Sequence, residues 1–300
     1  MPPARSSTRP NEASSSVPRK IAFCHIDSLT CLPALNFLFE EIGGEIGLVL
    51  SSKRFGSSHG SFWQQATYGF RRYGFALNVW LGFDLVSVPI VAFFARLLRP
   101  ALATLPALAR RHGARLVETP DVNSAATLAI VQEYAPDFIV VMNFDQILKP
   151  PLIALAGVGV VNVHPALLPA LRGPCPDLWA VAKKLALSGA TVHVIEDQSI
   201  DAGRVLARVE VPIEGTPSVG ELNTRLVLEG ARALPAALAR LAADRNAGEP
   251  QTPADGQYLG YPTAADMSGF RRAGLKLCRI AHAIRLIAAA LGVARWKDHG

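Results

Sequence analysis

The sequence predicts an α/β fold built on a mainly parallel, twisted sheet with helices on both faces. Three observations carry that prediction. Short β-branched runs such as Phe138–Met142 and Val160–Val163 recur along the chain and end abruptly, as buried strands do. They alternate with segments of helical apolar spacing as far as Ala243, the rhythm of strand–helix–strand units. Half of the 300 residues are hydrophobic, enough for a full core in one large domain or one domain with an appendage.

Taken in order, Met1–Pro18 is rich in Pro, Ser, Ala and Arg without periodicity and is expected to be a mobile tail; it lacks the apolar core of a secretory signal. Lys20–Ile26 suits a first buried strand, Pro33–Ile42 a helix and Glu45–Ser51 a second strand. The turn after the first strand reads HIDSLT and has no glycine, so a nicotinamide dinucleotide fingerprint is absent. After the insertion described below, Ala114–Glu118 is a strand, Ser124–Tyr134 a helix introduced by Asn123, and Asp137–Met142 a strand ending at Asn143. Leu152–Ala156 is a short helical piece, Leu178–Leu187 a helix ended by Gly189, Thr191–Ile195 and Arg204–Val211 are strands, and Val219–Ala243 is a long helix. Together these give a Rossmann-like domain over residues 19–243.

Two stretches break the rhythm. Ser61–Ala109 is apolar and aromatic, with Phe62, Trp63, Tyr68, Trp80 and Phe94 among its rings and Arg71, Arg72, Arg96 and Arg99 around it. Between Phe75 and Leu98 the only charges are Asp84 and Arg96, but Gly82, Asp84 and Pro89 interrupt the run, and two shorter helices are expected instead of one span. Asn246–Pro262 reads as an extended linker in a C-terminal part covering residues 244–300, and Phe270–Trp296 as one basic amphipathic helix. For both apolar segments three readings stay open: packing on the domain or on a second copy in a homo-oligomer, lying on an anionic membrane surface, or, for the first, crossing a bilayer.

The net charge of +6 and pI near 9.3 permit phosphate-bearing, nucleic-acid or lipid partners without choosing among them. Cys24, Cys31, Cys175 and Cys278 are scattered without metal spacing, which suits a reducing cytosol and leaves no metal expected. The stretch Val160–Asp177, VVNVHPALLPALRGPCPD, concentrates the chemistry. Its strand stops at His164-Pro165, delivering Asn162 and His164 to the carboxyl end and, one residue apart, to the same side of the pleat. Asp201 lies in the turn Ile200-Asp201-Ala202-Gly203 between the next two strands, whose ends can lie side by side in such a sheet. Singly, each is more often a turn former or an edge residue. As a trio they suit acyl transfer between nitrogens: Asn162 as an amide donor to an oxyanion, His164 as a donor and proton relay, and Asp201 as the group that orients the imidazole.

In order, Asn162-Val163-His164-Pro165, Leu167-Leu168-Pro169, Arg172-Gly173, Ala190-Thr191-Val192-His193 and Asp201–Leu206 resemble the signature of the folate-dependent formyltransferases, the family of the glycinamide ribonucleotide, methionyl-tRNA and amino-sugar enzymes. The resemblance runs over residues 114–240. It implies 10-formyltetrahydrofolate as donor, with Met142, Asn143, Phe144, Asp145 and Gln146 and, across from them, Ile195, Glu196, Asp197 and Ile200 lining the pterin slot. His193 is expected to serve packing or pocket shape. The chain departs from the family's usual glycines at Asn143–Asp145 and in the first turn, and its tail lacks the alternating strands of the barrel that methionyl-tRNA formyltransferases append. The resemblance therefore implies N-formylation of a primary amine on a small or amphiphilic acceptor, first an amino sugar linked to nucleotide or lipid, with nucleic acid not expected as a partner. An aminoacyl group on tRNA or a carrier is the alternative, and a folate-binding or membrane-bound scaffold without turnover is the third. The location expected is cytoplasmic, with peripheral attachment to the inner face of the cell membrane if the apolar segments meet lipid.

Overall fold

A computed structural model describes residues 19–53, 69–95, 102–215 and 217–294. The expected tail Met1–Pro18, the start of the insertion with Phe62, Trp63 and Tyr68, and Arg96, Arg99 and Trp296 lie outside the described residues.

The strands are β1 Ile21–His25, β2 Ile46–Ser52, β3 Arg115–Thr119, β4 Phe138–Met142, β5 Gly159–His164, β7 Leu187–Val194 and β8 Val205–Pro212, in the order β3-β2-β1-β4-β5-β7-β8. The first five run parallel; β7 is antiparallel to β5, and β8 to β7. A two-residue strand β6, Leu171–Arg172, pairs with β9, Gln257–Tyr258.

Alternation within each strand assigns the two faces. Ile21, Phe23, Phe138, Val140, Val161 and Val163 join the core under helices α1 (Leu32–Ile42) and α7 (Val219–Ala243). Ala22, Cys24, Ile139, Val141 and Val160 join a second core under α4 (Ala125–Tyr134) and α5 (Pro150–Ile153). Asn162 and His164 share the parity of Val160 and therefore belong to the second face. Helix α7 begins with a reciprocal capping box between Ser218 and Glu221, and Gly230 lets its backbone lie directly on Val163 and Ala190, where a Cβ would collide.

Four readings are corrected. The insertion holds one unbroken helix, α2, Phe75–Ala95, followed by α3, Leu105–Arg111, instead of two short helices across Gly82 and Pro89. Asp84 does not break α2 because its carboxylate turns inward and accepts from the Thr30 N–H (3.1 Å) and Oγ1 (3.2 Å); Pro89 sits inside the helix on its exposed side. At the carboxyl side of the site, α6 is only Pro176–Ala182, because Leu187–Gly189 already belong to β7. The basic helix expected over Phe270–Trp296 is two, α8 Ala264–Arg272 and α9 Ile280–Ala290, separated by Gly274 at φ +91°, which a helix cannot continue through. The stretch expected to be a linker, Asn246–Pro262, is docked: Glu249 bridges to Val205 and Gln257–Tyr258 pair with β6; beyond it, the carbonyls of Lys276 and Leu277 accept from the first N–H groups of α7 at 2.9 Å.

Candidate functional site

Strand β5 carries Asn162 and His164, and its antiparallel neighbour β7 sets His193 opposite Asn162 and Thr191 opposite His164. Directly opposed residues share a face, so all four side chains converge. The loop between β7 and β8 starts beside Val160, where Ile195 N–H bonds to the Val160 carbonyl, and reaches back to bring Asp201 over the group. Asp201 therefore comes from a returning loop and not from the end of a neighbouring parallel strand. It lies in the left-handed region at φ +52°, a conformation that a short polar side chain tolerates best.

Asp201 Oδ1 stands 3.5 Å from both His164 Nδ1 and His193 Nε2, and 3.4 Å from the Asn162 amide nitrogen, while Oδ2 accepts from the Gly173 N–H at 2.8 Å. Gly173, at φ +99° with the Leu259 carbonyl where a Cβ would go, can be no other residue without moving this donor. Burial by itself would raise the Asp201 pKa, but the two imidazoles and the Gly173 N–H outweigh it and hold the carboxyl down at about 2. The aspartate is ionised at neutral pH.

His164 donates from Nε2 to the Leu171 carbonyl at 2.8 Å, which fixes the tautomer of the neutral ring and leaves the Nδ1 lone pair facing Asp201. Burial pushes the His164 pKa below its ordinary value, with the neighbouring His193 adding to the effect and Asp201 and Leu171 opposing it. The ring is thus neutral at rest and takes its proton at Nδ1, next to a carboxylate. Thr191 holds the following loop by accepting from the Leu168 N–H (3.0 Å) and donating to the Ala166 carbonyl (2.7 Å).

His193 is bound more closely into this group than a packing residue. Its Nδ1 donates to the Val194 carbonyl (3.0 Å), and its Nε2 lies 3.0 Å from the Asn162 amide nitrogen and 3.5 Å from Asp201 Oδ1. The signal was present in sequence only as parity: His193 lies two residues beyond Thr191, but the antiparallel pairing that sets it against Asn162 is a property of the sheet.

Of the residues expected around a pterin, Phe144 and Ile195 are half-buried and each packs against the second core. Met142 is buried in the first core and its carbonyl accepts from His25 Nδ1 (2.6 Å). Asn143, at φ +48°, clasps the ends of β1 and β4, its carbonyl accepting from Ile26 N–H (2.8 Å) and its amide donating to the Ile26 carbonyl (2.9 Å). Gln146 turns towards β2 and β3, accepting from Val122 N–H and donating to Ser52 Oγ. Asp145 is half-buried, Glu196 pairs with Arg204 (2.8 Å), Asp197 accepts from the Ser199 N–H, and Ile200 is exposed on the loop next to Asp201. Cys24 and Cys175, whose thiols burial pushes up, stay protonated and are no nucleophiles.

Residues 101–238, which include Asn162, His164, His193 and Asp201, match the family described as Formyl transferase. A methionyl-tRNA formyltransferase of a Mycobacterium species is 37% identical over 173 residues, 58% of this chain and 56% of that protein, and one of Geobacillus thermodenitrificans is 36% identical over 126 residues, 42% and 39%. The chain thus spans about half the length of these relatives. Among solved structures, the sugar 3N-formyl transferase WlaRD shares the fold at a TM-score of 0.51 and 15% identity, covering 82% of this chain and 70% of that one. The matched segment, residues 101–238, is thus similar to formyl transferases in sequence, and the chain shares the fold of WlaRD.

Proposed function

We propose that the protein transfers a formyl group from 10-formyltetrahydrofolate to a primary amine of a small or amphiphilic acceptor, with an amino sugar linked to nucleotide or lipid as first candidate. The observation that carries the reading is the ionised Asp201 set against a neutral, tautomer-fixed His164 and the Asn162 amide. The residues present fit the donor: Phe144 and Ile195 offer half-buried apolar walls, and the polar group lies along the same face. Chemically, the donor supplies the formyl carbon.

The chain's own groups do the rest. His164 Nδ1 accepts the proton of the attacking amine as the new N–C bond forms, and the imidazolium pairs with Asp201. Asn162 gives one N–H to the developing oxyanion; the 3.4 Å contact to Asp201 is the weaker of its two and the one to be redirected. His164 then returns the proton to the departing folate nitrogen as the old C–N bond breaks.

The shared fold of WlaRD, a sugar 3N-formyl transferase solved with dTDP and 5-N-formyl-THF, supports the sugar reading. Formylation of an aminoacyl group on tRNA or a carrier is supported by the methionyl-tRNA formyltransferases among the relatives. Tetrahydrofolate release measured with 10-formyltetrahydrofolate and a panel of nucleotide-linked amino sugars, amino lipids and aminoacylated tRNA tests the proposal: turnover with a sugar or lipid amine is expected. Turnover with aminoacylated tRNA alone would replace the first reading by the second, and none with any amine would leave the scaffold.

A further inference from the structure

Helix α2 is apolar on both of its sides. Leu77, Val88 and Val91 point inward and are buried, and Asp84 ties the same side to the turn after β1. The opposite side presents Phe75, Val79, Phe83, Val86, Ile90 and Phe93 at helical spacing, each between 41% and 70% exposed. That stripe runs for roughly 27 Å at 1.5 Å per residue, longer than a soluble surface ordinarily leaves uncovered. Helix α9 packs beside α2 and adds Ile280 and Ile284, 80% and 59% exposed.

What surrounds the stripe is basic. Arg71 and Arg72 precede α2, and Arg271 and Arg272 line an open cleft of about 430 Å³ with Phe75 at its edge. Lys276, Arg279 and Arg285 follow, the last two sharing Glu221 at 3.4 and 4.0 Å. Along residues 264–294 the only carboxylate is Asp266, spent on the cap of α8. A second copy meeting this face across a two-fold axis would bring cations against the same cations. An anionic bilayer offers the complement on both counts, apolar depth for the stripe and phosphates for the arginines. Although α2 is long and apolar enough to cross a membrane, crossing would pull Asp84 and the buried Leu77, Val88 and Val91 out of the domain. Lying along a bilayer surface would keep both contacts.

We infer that the outer face of α2 and α9, rimmed by Arg271 and Arg272, docks the protein on the surface of an anionic lipid bilayer. Because Asp84 holds α2 to the turn after β1, the bilayer would then lie at the carboxyl edge of the parallel strands, the edge that carries His164. The inference stands without the proposed reaction, and its test reads binding and not turnover.

The full chain is sedimented with vesicles of phosphatidylcholine alone and with 40% phosphatidylglycerol (about that fraction suffices), at low and high salt. Pelleting with the anionic vesicles, weakening as salt rises, is expected. Val86→Glu/Ile90→Glu and Arg271→Gln/Arg272→Gln should each lower the bound fraction by roughly tenfold or more, with unchanged circular dichroism and melting temperature. If the first variant unfolds, the second alone decides, since both arginines are exposed. Protein left in the supernatant at low salt, equal binding to neutral vesicles, or a solution dimer that Val86→Glu/Ile90→Glu splits without any vesicle binding would overturn the inference.

Discussion

Two buried polar groups sit on the same carboxyl edge of the sheet and end in opposite states. At β5 and β7, Asp201 is flanked by two imidazoles and an amide N–H and is held down at about 2. At the end of β1, burial raises Asp27 to about 7, with the charge of Asp84 adding to the effect and a single N–H from Leu105 (3.2 Å) opposing it; burial likewise raises Asp84 to about 6. His25 next to them is pushed down by burial to about 4. Both places are buried, and burial prevails at Asp27 and Asp84, whereas at Asp201 the neighbouring imidazoles and N–H donors outweigh it. The carboxylate at β5 is ionised throughout the neutral range, whereas those at β1 titrate close to it.

The largest test of that contrast removes the charge at β5. Asp201→Asn keeps the shape and an acceptor for the Gly173 N–H but deletes the carboxylate, and kcat is expected to fall by roughly a hundredfold or more, with donor affinity little changed. His164→Ala should cost as much, and the double variant little more than either alone; activity near the parent level in either single variant would dissolve the contrast. The pH profile sharpens it. Because burial lowers the His164 pKa, the rate should stay high as pH falls to about 6.5 and drop only below that, as Nδ1 takes a proton before the amine arrives. An acid limb centred above 7 would mean that Asp201 outweighs burial at that ring.

Much of the β5 group can be read from residues alone, and little of the β1 group can. Val160–Val163 is an apolar run cut by Pro165, so a strand end with Asn162 and His164 on one side follows from period and proline. Asp201 is placed by family likeness, but the loop that carries it over the strand exists only because β7 runs antiparallel to β5, and the same reversal turns His193 from a strand residue into the partner of Asn162. At β1, HIDSLT shows merely a turn without glycine. Its meaning depends on Asp84, 54 positions beyond Thr30, whose inward rotation in α2 was hidden by the apolar residues around the whole helix. A helix with two apolar sides has no period to reveal which side faces the core.

A smaller effect separates the two ends by stability. In the folded chain Asp27 holds its proton up to about 7, whereas unfolded it loses it near 4, so between those values the folded state binds more protons and stability falls as pH rises. Asp27→Asn removes this loss while its amide oxygen still accepts from the Leu105 N–H. Urea unfolding at pH 4.5 and 8 (a span of about 3.5 pH units around the raised value) should show the variant gaining relative to the parent at the higher pH, by about 1–3 kcal/mol. His25 pulls the other way between about 4 and 6.5, but it is common to both proteins and cancels in the difference. Asp201 supplies the contrast, its contribution being present above about 4 and lost as pH falls towards 2. A difference that stays constant with pH would mean that Asp27 is ionised in the fold.

The smallest expected effect at pH 8 comes from His25 itself. Its ring stacks on Phe23 at 5.4 Å between centroids, its Nδ1 donates to the Met142 carbonyl, and its Nε2 is buried without a hydrogen-bond partner among the described residues. Replacing it with Phe keeps the stack and frees the fold of a buried nitrogen that costs about 1–3 kcal/mol to leave unpaired. The same change takes the donor from Met142, which costs about 1 kcal/mol. The two nearly offset, so His25→Phe should move stability by less than about 1 kcal/mol at pH 8 and should be more stabilising at pH 5 by about 2 kcal/mol, because there the unfolded histidine is protonated and the folded one is not. Activity should hardly change, because no bond links His25 to Asn162, His164 or Asp201 among the described residues. If turnover instead falls as far as in Asp201→Asn, with the fold intact, the end of β1 belongs to the reacting site, and the division between a charged edge and a neutral one fails.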